Sequence, residues 1–211
     1  MRITFPVESQ TYTEYCVYCH SRDTLRAVRG KDGLQYECSK CNKTASRAII
    51  MDPDLKWSID SDKEYVHESV GVFIFNDQKE FLMFKLNKYP FGATIPAGHV
   101  DRDEDPEKAI LREVAEEVQL PIKKLTAVAT VSIDKDGCRR GSDRHNWTIY
   151  CAIVASTQKP IVDEKEGSSP EWISLEDARK RTNCFAIDYI LKNYFNEIIS
   201  YSSNKMPPSS D

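Results

Sequence analysis

The sequence predicts an α/β fold: a mixed sheet flanked by helices, preceded by a small metal-binding module. Three observations carry this. Between residues 64 and 200, strand-like runs alternate with helix-like apolar periodicity. The order of those patterns is strands, a helix, strands, then helices, which suits a layered sheet. The first 51 residues hold two Cys-x-x-Cys pairs where a core would otherwise be expected.

The chain has 211 residues, of which 40% are hydrophobic and 10% aromatic, enough for one medium domain and a small module. Residues 1–51 form the cysteine module. Residues 52–63, DPDLKWSIDSDK, are rich in Asp and Ser and read as a linker. Residues 64–200 form the main domain, and residues 201–211 read as a disordered tail. Within the main domain, ESVGVFIFN and EFLMFKLN are β-rich and separated by a short polar turn, so they predict neighbouring strands. LTAVATVSI and NWTIYCAIVAS predict a second such pair around the charged loop DKDGCRRGSDRH, and IVD a short edge strand. Helices are expected over 106–118, 175–181 and 185–199.

The first helix is unusual. Residues 98–120, GHVDRDEDPEKAILREVAEEVQL, hold eight Asp or Glu against three Lys or Arg. Asp105 suits the N-cap and Pro106 the first helical position. Ile110, Leu111, Val114 and Val118 make an apolar stripe, and at about 100° per residue Glu113, Glu116 and Glu117 share a neighbouring face. Such like-charge pairs destabilise an isolated helix by roughly 0.2–0.5 kcal/mol each. A hard divalent cation accounts for the repulsion, because Mg²⁺ takes a few carboxylates and completes its shell with waters and substrate phosphates.

Gly98, Glu104, Arg112, Glu113, Glu116 and Glu117 have the spacing G-x5-E-x7-R-E-x2-E-E. About one chain in 10⁵ of this length would match it by chance. The pattern resembles the Nudix box of the Nudix hydrolase superfamily, and the resemblance extends over residues 64–200. It implies a Nudix α/β/α sandwich and a Mg²⁺- or Mn²⁺-dependent hydrolase of a nucleoside diphosphate linked to another group. It also implies metal ligands at Glu113, Glu116, Glu117 and the carbonyl of Ala97, with Glu104 and Arg112 bracing them. A further late-loop glutamate that binds metal or handles the proton matches Glu166 first and Glu164 second. Trp172 reads as a packed aromatic. One position departs from the family pattern: Gln119 stands where a helix-ending Gly is usual.

Cys16, Cys19, Cys38 and Cys41 flank a stretch with a KDG turn, and four soft ligands at this spacing predict a structural Zn²⁺ in a zinc ribbon. His20 is not expected to replace a cysteine. Residues 1–51 carry a net charge of +3 and the remainder −7, for a total of −4. Arg22, Arg26, Arg29, Lys31, Lys40, Lys43 and Arg47 with Tyr12, Tyr15, Tyr18 and Tyr36 leave RNA or other nucleic-acid contact open. A structural or homodimerising role is the favoured alternative. The order of ribbon and hydrolase is similar to that of NADH pyrophosphatases, but their Ser-Gln-Pro-Trp type signature is absent from PIKKLTAVATVSIDKDG, so that specificity is not carried over. The expected partner is a small nucleotide-type substrate. The main alternative is an RNA 5′-end or cap-processing enzyme, or a nucleic-acid-binding module with little hydrolase activity.

Arg139, Arg140 and Arg144 in the charged loop are candidate phosphate contacts. Cys138, Cys151 and Cys184 read as buried apolar groups without function. His20, His67, His99 and His145 are scattered; His99 lies in the box loop within reach of a substrate, but a structural or solvent role is favoured. No apolar run approaches about 18 residues and no secretory pattern begins the sequence, so no membrane partner and a cytoplasmic location are expected.

Overall fold

The computed structural model describes residues 1–30 and 33–205. The strands of the first part are β1 (Thr13–Tyr15), β2 (Leu25–Gly30), β3 (Gly33–Cys38), β4 (Thr44–Ala45), β5 (Ile49–Met51) and β6 (Trp57–Ile59). Then come β7 (Tyr65–Phe75), β8 (Phe81–Leu86), β9 (Ala93–Thr94), β10 (Ala97–His99) and helix α1 (Pro106–Glu117). The chain continues with β11 (Thr126–Asp134), β12 (Arg144–Ile153), β13 (Gly167–Ile173), α2 (Leu175–Ala178), α3 (Phe185–Asn193) and α4 (Phe195–Lys205).

The mixed sheet runs β11-β12-β7-β8-β13, with β6 and β10 also on β7 and β9 on β8. β12 is parallel to β7 and the other pairs are antiparallel. β7 is the spine of the sheet. It is buried along nearly its whole length, which explains its apolar run from Val70 to Phe75. Alternate side chains enter opposite cores. Phe73 and Phe75 pack with Ile187, Ile190 and Leu191 of α3 and Ile198 of α4. Val72 and Ile74 pack with Ile110 and Val114 of α1. The architecture is the expected α/β/α sandwich.

α1 begins as the sequence implies: the Asp105 carboxylate accepts from the Glu107 N–H at 2.8 Å, and Pro106 needs no partner. Leu111, counted in the apolar stripe, is exposed, and Ala109 is buried instead. The helix ends with Gln119 at φ +54°, its N–H donating to the Val114 carbonyl at 2.9 Å. The left-handed turn is kept without a glycine.

Three boundaries differ from expectation. The 52–63 segment carries β6, which pairs with β7. The helix expected over 185–199 is two, α3 and α4, and the second runs to Lys205 into the segment read as disordered; residues 206–211 lie outside the described set. IVD is not in the sheet. Its Ile161 and Asp163 N–H groups donate to the carbonyls of Val118 and Glu117 at the end of α1. The last edge strand is β13 instead.

The ribbon is joined to the main domain through shared core. Tyr15, Ile49 and Met51 pack on Tyr65 of β7, whose hydroxyl donates to the Ile50 carbonyl at 2.6 Å. The loop between β11 and β12 also docks there: the N–H groups of Ala48 and Ile50 donate to the carbonyls of Arg139 and Arg140 at 3.1 Å each. Gly141, at φ +93°, lets that loop approach; a Cβ there would lie 2.6 Å from the Ala48 carbonyl oxygen. Among the described residues, no helix is long and apolar enough to cross a membrane.

Candidate active site and zinc ribbon

A cleft of about 510 Å³ opens between α1, β10 and the loops after β8, β11 and β12. Glu113, Glu116, Glu117, Arg112, Ala97 and Gly98 line one wall; Lys88, Tyr89 and Glu166 also line it. Five expected ligand positions therefore meet in one space: Ala97, Glu113, Glu116, Glu117 and Glu166. Their environments differ. Glu117 is buried and accepts from the Ala97 N–H at 2.9 Å. Burial pushes its carboxyl well above the ordinary carboxylate value, and the Ala97 N–H only partly opposes that. Glu113 is pushed the same way by burial, against the neighbouring Arg112 guanidinium. Glu116 is largely exposed, at 61% of its side chain, and faces solvent at the cleft mouth.

Arg112 braces the group as expected. Its guanidinium donates to Glu104 at 2.9 and 3.1 Å, to Glu113 at 2.6 Å and to the His99 carbonyl at 3.1 Å. That bonding holds the Glu104 carboxyl below its usual range. Gly98 is required by contact: a Cβ there would lie 2.1 Å from the Glu113 carboxyl carbon. In the same cleft Glu166 is ion-paired with Lys88. Glu164 is exposed, and only its carbonyl is engaged, by the Asn87 side chain. Trp172 packs partly buried against the α1 core.

The loop arginines separate. Arg139 and Arg140 line the cleft, Arg140 also pairing with Asp52 at 2.5 Å. Arg144 does not reach it. It is bound by Asp60 at 2.5 Å and by Asp134, beside Glu64 and Asp143 on another surface. Sequence reasoning missed Lys88 and Tyr89. Their signal was weak: a lone basic residue in a Tyr-Pro turn.

The four ribbon cysteines converge, their sulfurs all within 4.8 Å of one another. Cys16 to Cys41 and Cys19 to Cys38 are each 3.7 Å. Zinc–sulfur bonds of ~2.3 Å in a tetrahedron place sulfurs about 3.8 Å apart, so the donor set fits zinc. The Tyr18 N–H donates to Cys16 Sγ at 3.4 Å, and β2 and β3 form the expected hairpin, whose turn residues 31–32 lie outside the described set. His20 stacks on Phe5 with ring centroids 4.3 Å apart, away from the cage. Tyr15 and Tyr36 are buried and unavailable for base stacking, whereas Tyr12 and Tyr18 are exposed.

A family model described as NUDIX domain matches residues 66–194. This chain belongs to the Nudix family. It is a Nudix hydrolase, and its first 65 residues lie outside the matched span. An 8-oxo-dGTP diphosphatase of Proteus vulgaris is 31% identical over 109 residues, covering 51% of this chain and 90% of that protein. In fold, the chain is similar to an Ap4A hydrolase of C. elegans, with TM-score 0.52 and 21% identity over 65% of this chain and 98% of that one. It is also similar to the Nudix domain of Shewanella oneidensis NrtR, complexed there with ADP ribose, with TM-score 0.53 and 19% identity over 63% of this chain and 88% of that one.

Proposed function

We propose that this Nudix hydrolase is a Mg²⁺- or Mn²⁺-dependent pyrophosphohydrolase that cleaves the diphosphate bridge of a nucleoside diphosphate linked to another group: a nucleotide sugar, a dinucleotide or a nucleoside triphosphate. The observation that carries this reading is the gathering of Glu113, Glu116, Glu117, Glu166 and Lys88 in one cleft. The relatives' names support the substrate class, since 8-oxo-dGTP, Ap4A and ADP ribose all join a nucleoside to a phosphate bridge.

The residues fit a hard cation. A buried and a partly buried carboxylate, both with raised proton affinity, lie beside an exposed third in an open cleft, which suits an ion that keeps waters and takes phosphate oxygens. Glu113, Glu116, Glu117, Glu166 and the Ala97 carbonyl are its assigned ligands, and when bound it neutralises phosphate charge and makes water a better nucleophile. Arg112 fixes Glu113 against Gly98. Lys88, Arg139 and Arg140 orient the anionic bridge by charge-assisted hydrogen bonds. Glu166, held by Lys88, is the carboxylate assigned to accept the proton of the attacking water.

The ribbon is assigned a structural zinc. Its core is continuous with β7 through Tyr65, so the metal supports a wall of the main domain. RNA contact draws less support. Arg22 pairs with Asp23, Arg26 with Glu37 and Arg47 with Asp143, and two of the four tyrosines are buried. None of the seven cysteines is in a disulfide, which suits a reducing compartment such as the cytoplasm.

A substrate panel with Mg²⁺ in ¹⁸O-labelled water tests the assignment: NADH, ADP-ribose, dinucleoside polyphosphates, nucleoside triphosphates and capped RNA. Turnover of small diphosphates, lowered at least ~100-fold by Glu116→Gln or Glu117→Gln, is expected. Near-normal rates in both variants, or turnover of capped RNA alone, would overturn it.

A further inference from the structure

We propose that His67, His99, Cys138 and His145 form a second zinc site, of the His₃Cys type, in the wall of the hydrolase cleft. The four side chains come from β7, β10, the β11–β12 loop and β12. One potential ligand atom from each lies within 4.8 Å of all the others, the same convergence the ribbon cysteines show. The sheet creates this placement. His145 is the partner of His67 in the parallel ladder, and His99 pairs with Ser69, two residues along β7. Cys138 is brought in by the loop that docks on the ribbon.

The geometry is that of a cage. Cys138 Sγ lies 3.6 Å from His67 Nδ1. A tetrahedral zinc with bonds of ~2.3 Å to sulfur and ~2.05 Å to nitrogen sets that edge at about 3.5 Å. The imidazoles do not form a stack. His67 meets His99 at 84° and His145 at 79°, with centroids 4.8 and 5.4 Å apart, and His99 meets His145 at 36° and 5.5 Å.

The burial needs an explanation that packing does not supply. His67 is fully buried, and His145 and Cys138 are nearly so. Among the described residues Cys138 is the only hydrogen-bond partner of the His67 side chain, and the His67 Nε2 has none. Buried polar groups left in that condition destabilise a fold, because they lose their hydrogen bonds to water and gain none in return. A metal that takes up the imidazole and thiolate lone pairs offsets this cost.

The surroundings match as well. Asp136 Oδ2 lies 3.1 Å from His145 Nδ1, close but not aligned as a hydrogen bond, and accepts from Trp147 Nε1 at 2.8 Å. A carboxylate behind a ligating imidazole fixes its orientation and leaves the other ring nitrogen for the metal. One thiolate with three imidazoles selects zinc over magnesium. With four protein ligands the site is closed and structural. It ties the loop bearing Arg139 and Arg140 to the sheet, and it holds His99, whose carbonyl accepts from Arg112.

Zinc content of the full chain after zinc reconstitution tests this independently of activity. Two zinc ions per chain are expected, one remaining in Cys16→Ser/Cys41→Ser and one in Cys138→Ala. If Cys138→Ala does not fold, X-ray absorption on the unaltered chain decides. A first shell with five sulfurs and three nitrogens shared by two zincs supports the site. A single zinc per chain, or an all-sulfur shell, overturns it.

Discussion

Gly98→Ala separates the catalytic geometry from the fold. A methyl group at this position would lie 2.1 Å from the Glu113 carboxyl carbon, where ordinary contact begins near 3.4 Å. One partner must therefore move by about 1.3 Å. The backbone of β10 is held in the ladder with β7, so the carboxylate is what yields. Swinging it off its rotamer costs on the order of 0.5–1.5 kcal/mol, and about 1 kcal/mol corresponds to ~2–4 °C in Tm for a chain of this size. The fold should survive. The displaced carboxylate, however, is an assigned cation ligand, and a misplacement of ~1 Å at a reacting centre costs about 100-fold in rate. Steady-state turnover of the substrate found in the panel, with thermal unfolding of the same samples, reads both effects. Glu113→Gln combined with Gly98→Ala should be little worse than Glu113→Gln alone, because both act through one carboxylate. Turnover within a few-fold of the unaltered enzyme would refute the assignment of Glu113.

Burial raises the Glu117 carboxyl above its ordinary value, so the folded chain holds a proton that the unfolded chain gives up. Stability should therefore fall as pH rises from the ordinary carboxylate range through the folded value. Glu117→Gln should raise Tm at pH 7.5 without added divalent metal, by about 2–4 °C per kcal/mol relieved, with no gain near pH 4; an unchanged or lower Tm at pH 7.5 counts against this. Gln119→Gly should stabilise by roughly 0.5–1 kcal/mol, the left-handed penalty of about 1–2 kcal/mol less the added entropy of glycine in the unfolded chain; chemical denaturation measures it, and a loss of stability would contradict the turn. Arg139→Ala and Arg140→Ala should each raise KM about tenfold, near 1.4 kcal/mol, while Arg144→Ala leaves it unchanged; an equal effect of all three would place the anion elsewhere. Cys38→Ser should lose the ribbon zinc, lower Tm and raise KM, whereas an unaltered KM would show that the ribbon does not support the cleft.

What the sequence revealed and what it hid follow from how local each signal is. The α1 site was legible because Gly98, Glu104, Arg112 and the three glutamates occupy one loop and helix, and helical spacing alone places them together. The ribbon was legible for the same reason. β7 and β8 were legible as apolar runs. β13 was not, because GSSPEWI reads as a loop: Ser169 adopts φ +55° in a register shift between Ser168 and Glu171, and Pro170 is tolerated only because the strand is at the sheet edge. β6 was hidden by the Asp-rich residues around it, which cap turns beside the strand. The histidines seemed scattered because only the parallel pairing of β12 with β7 brings His145 beside His67.

That pairing also explains how the parts of the chain are coupled. β7 contributes Tyr65 to the ribbon core, His67 to the histidine cluster, and Ser69 and Gly71 as the partners of His99 and Ala97. Tyr65 and His67 are in edge contact at 4.5 Å. The next support is the β11–β12 loop, whose backbone is bonded to residues 48 and 50 while its Arg139 and Arg140 line the cleft. A rigid sheet strand and a docked loop thus span the distance from the ribbon to the α1 glutamates, each anchored at several points. Because the loop is irregular, its position depends on those anchors rather than on a ladder of its own. This is how a four-cysteine module outside the Nudix match can shape the Arg139 and Arg140 wall of the cleft without contributing a side chain to the glutamate cluster.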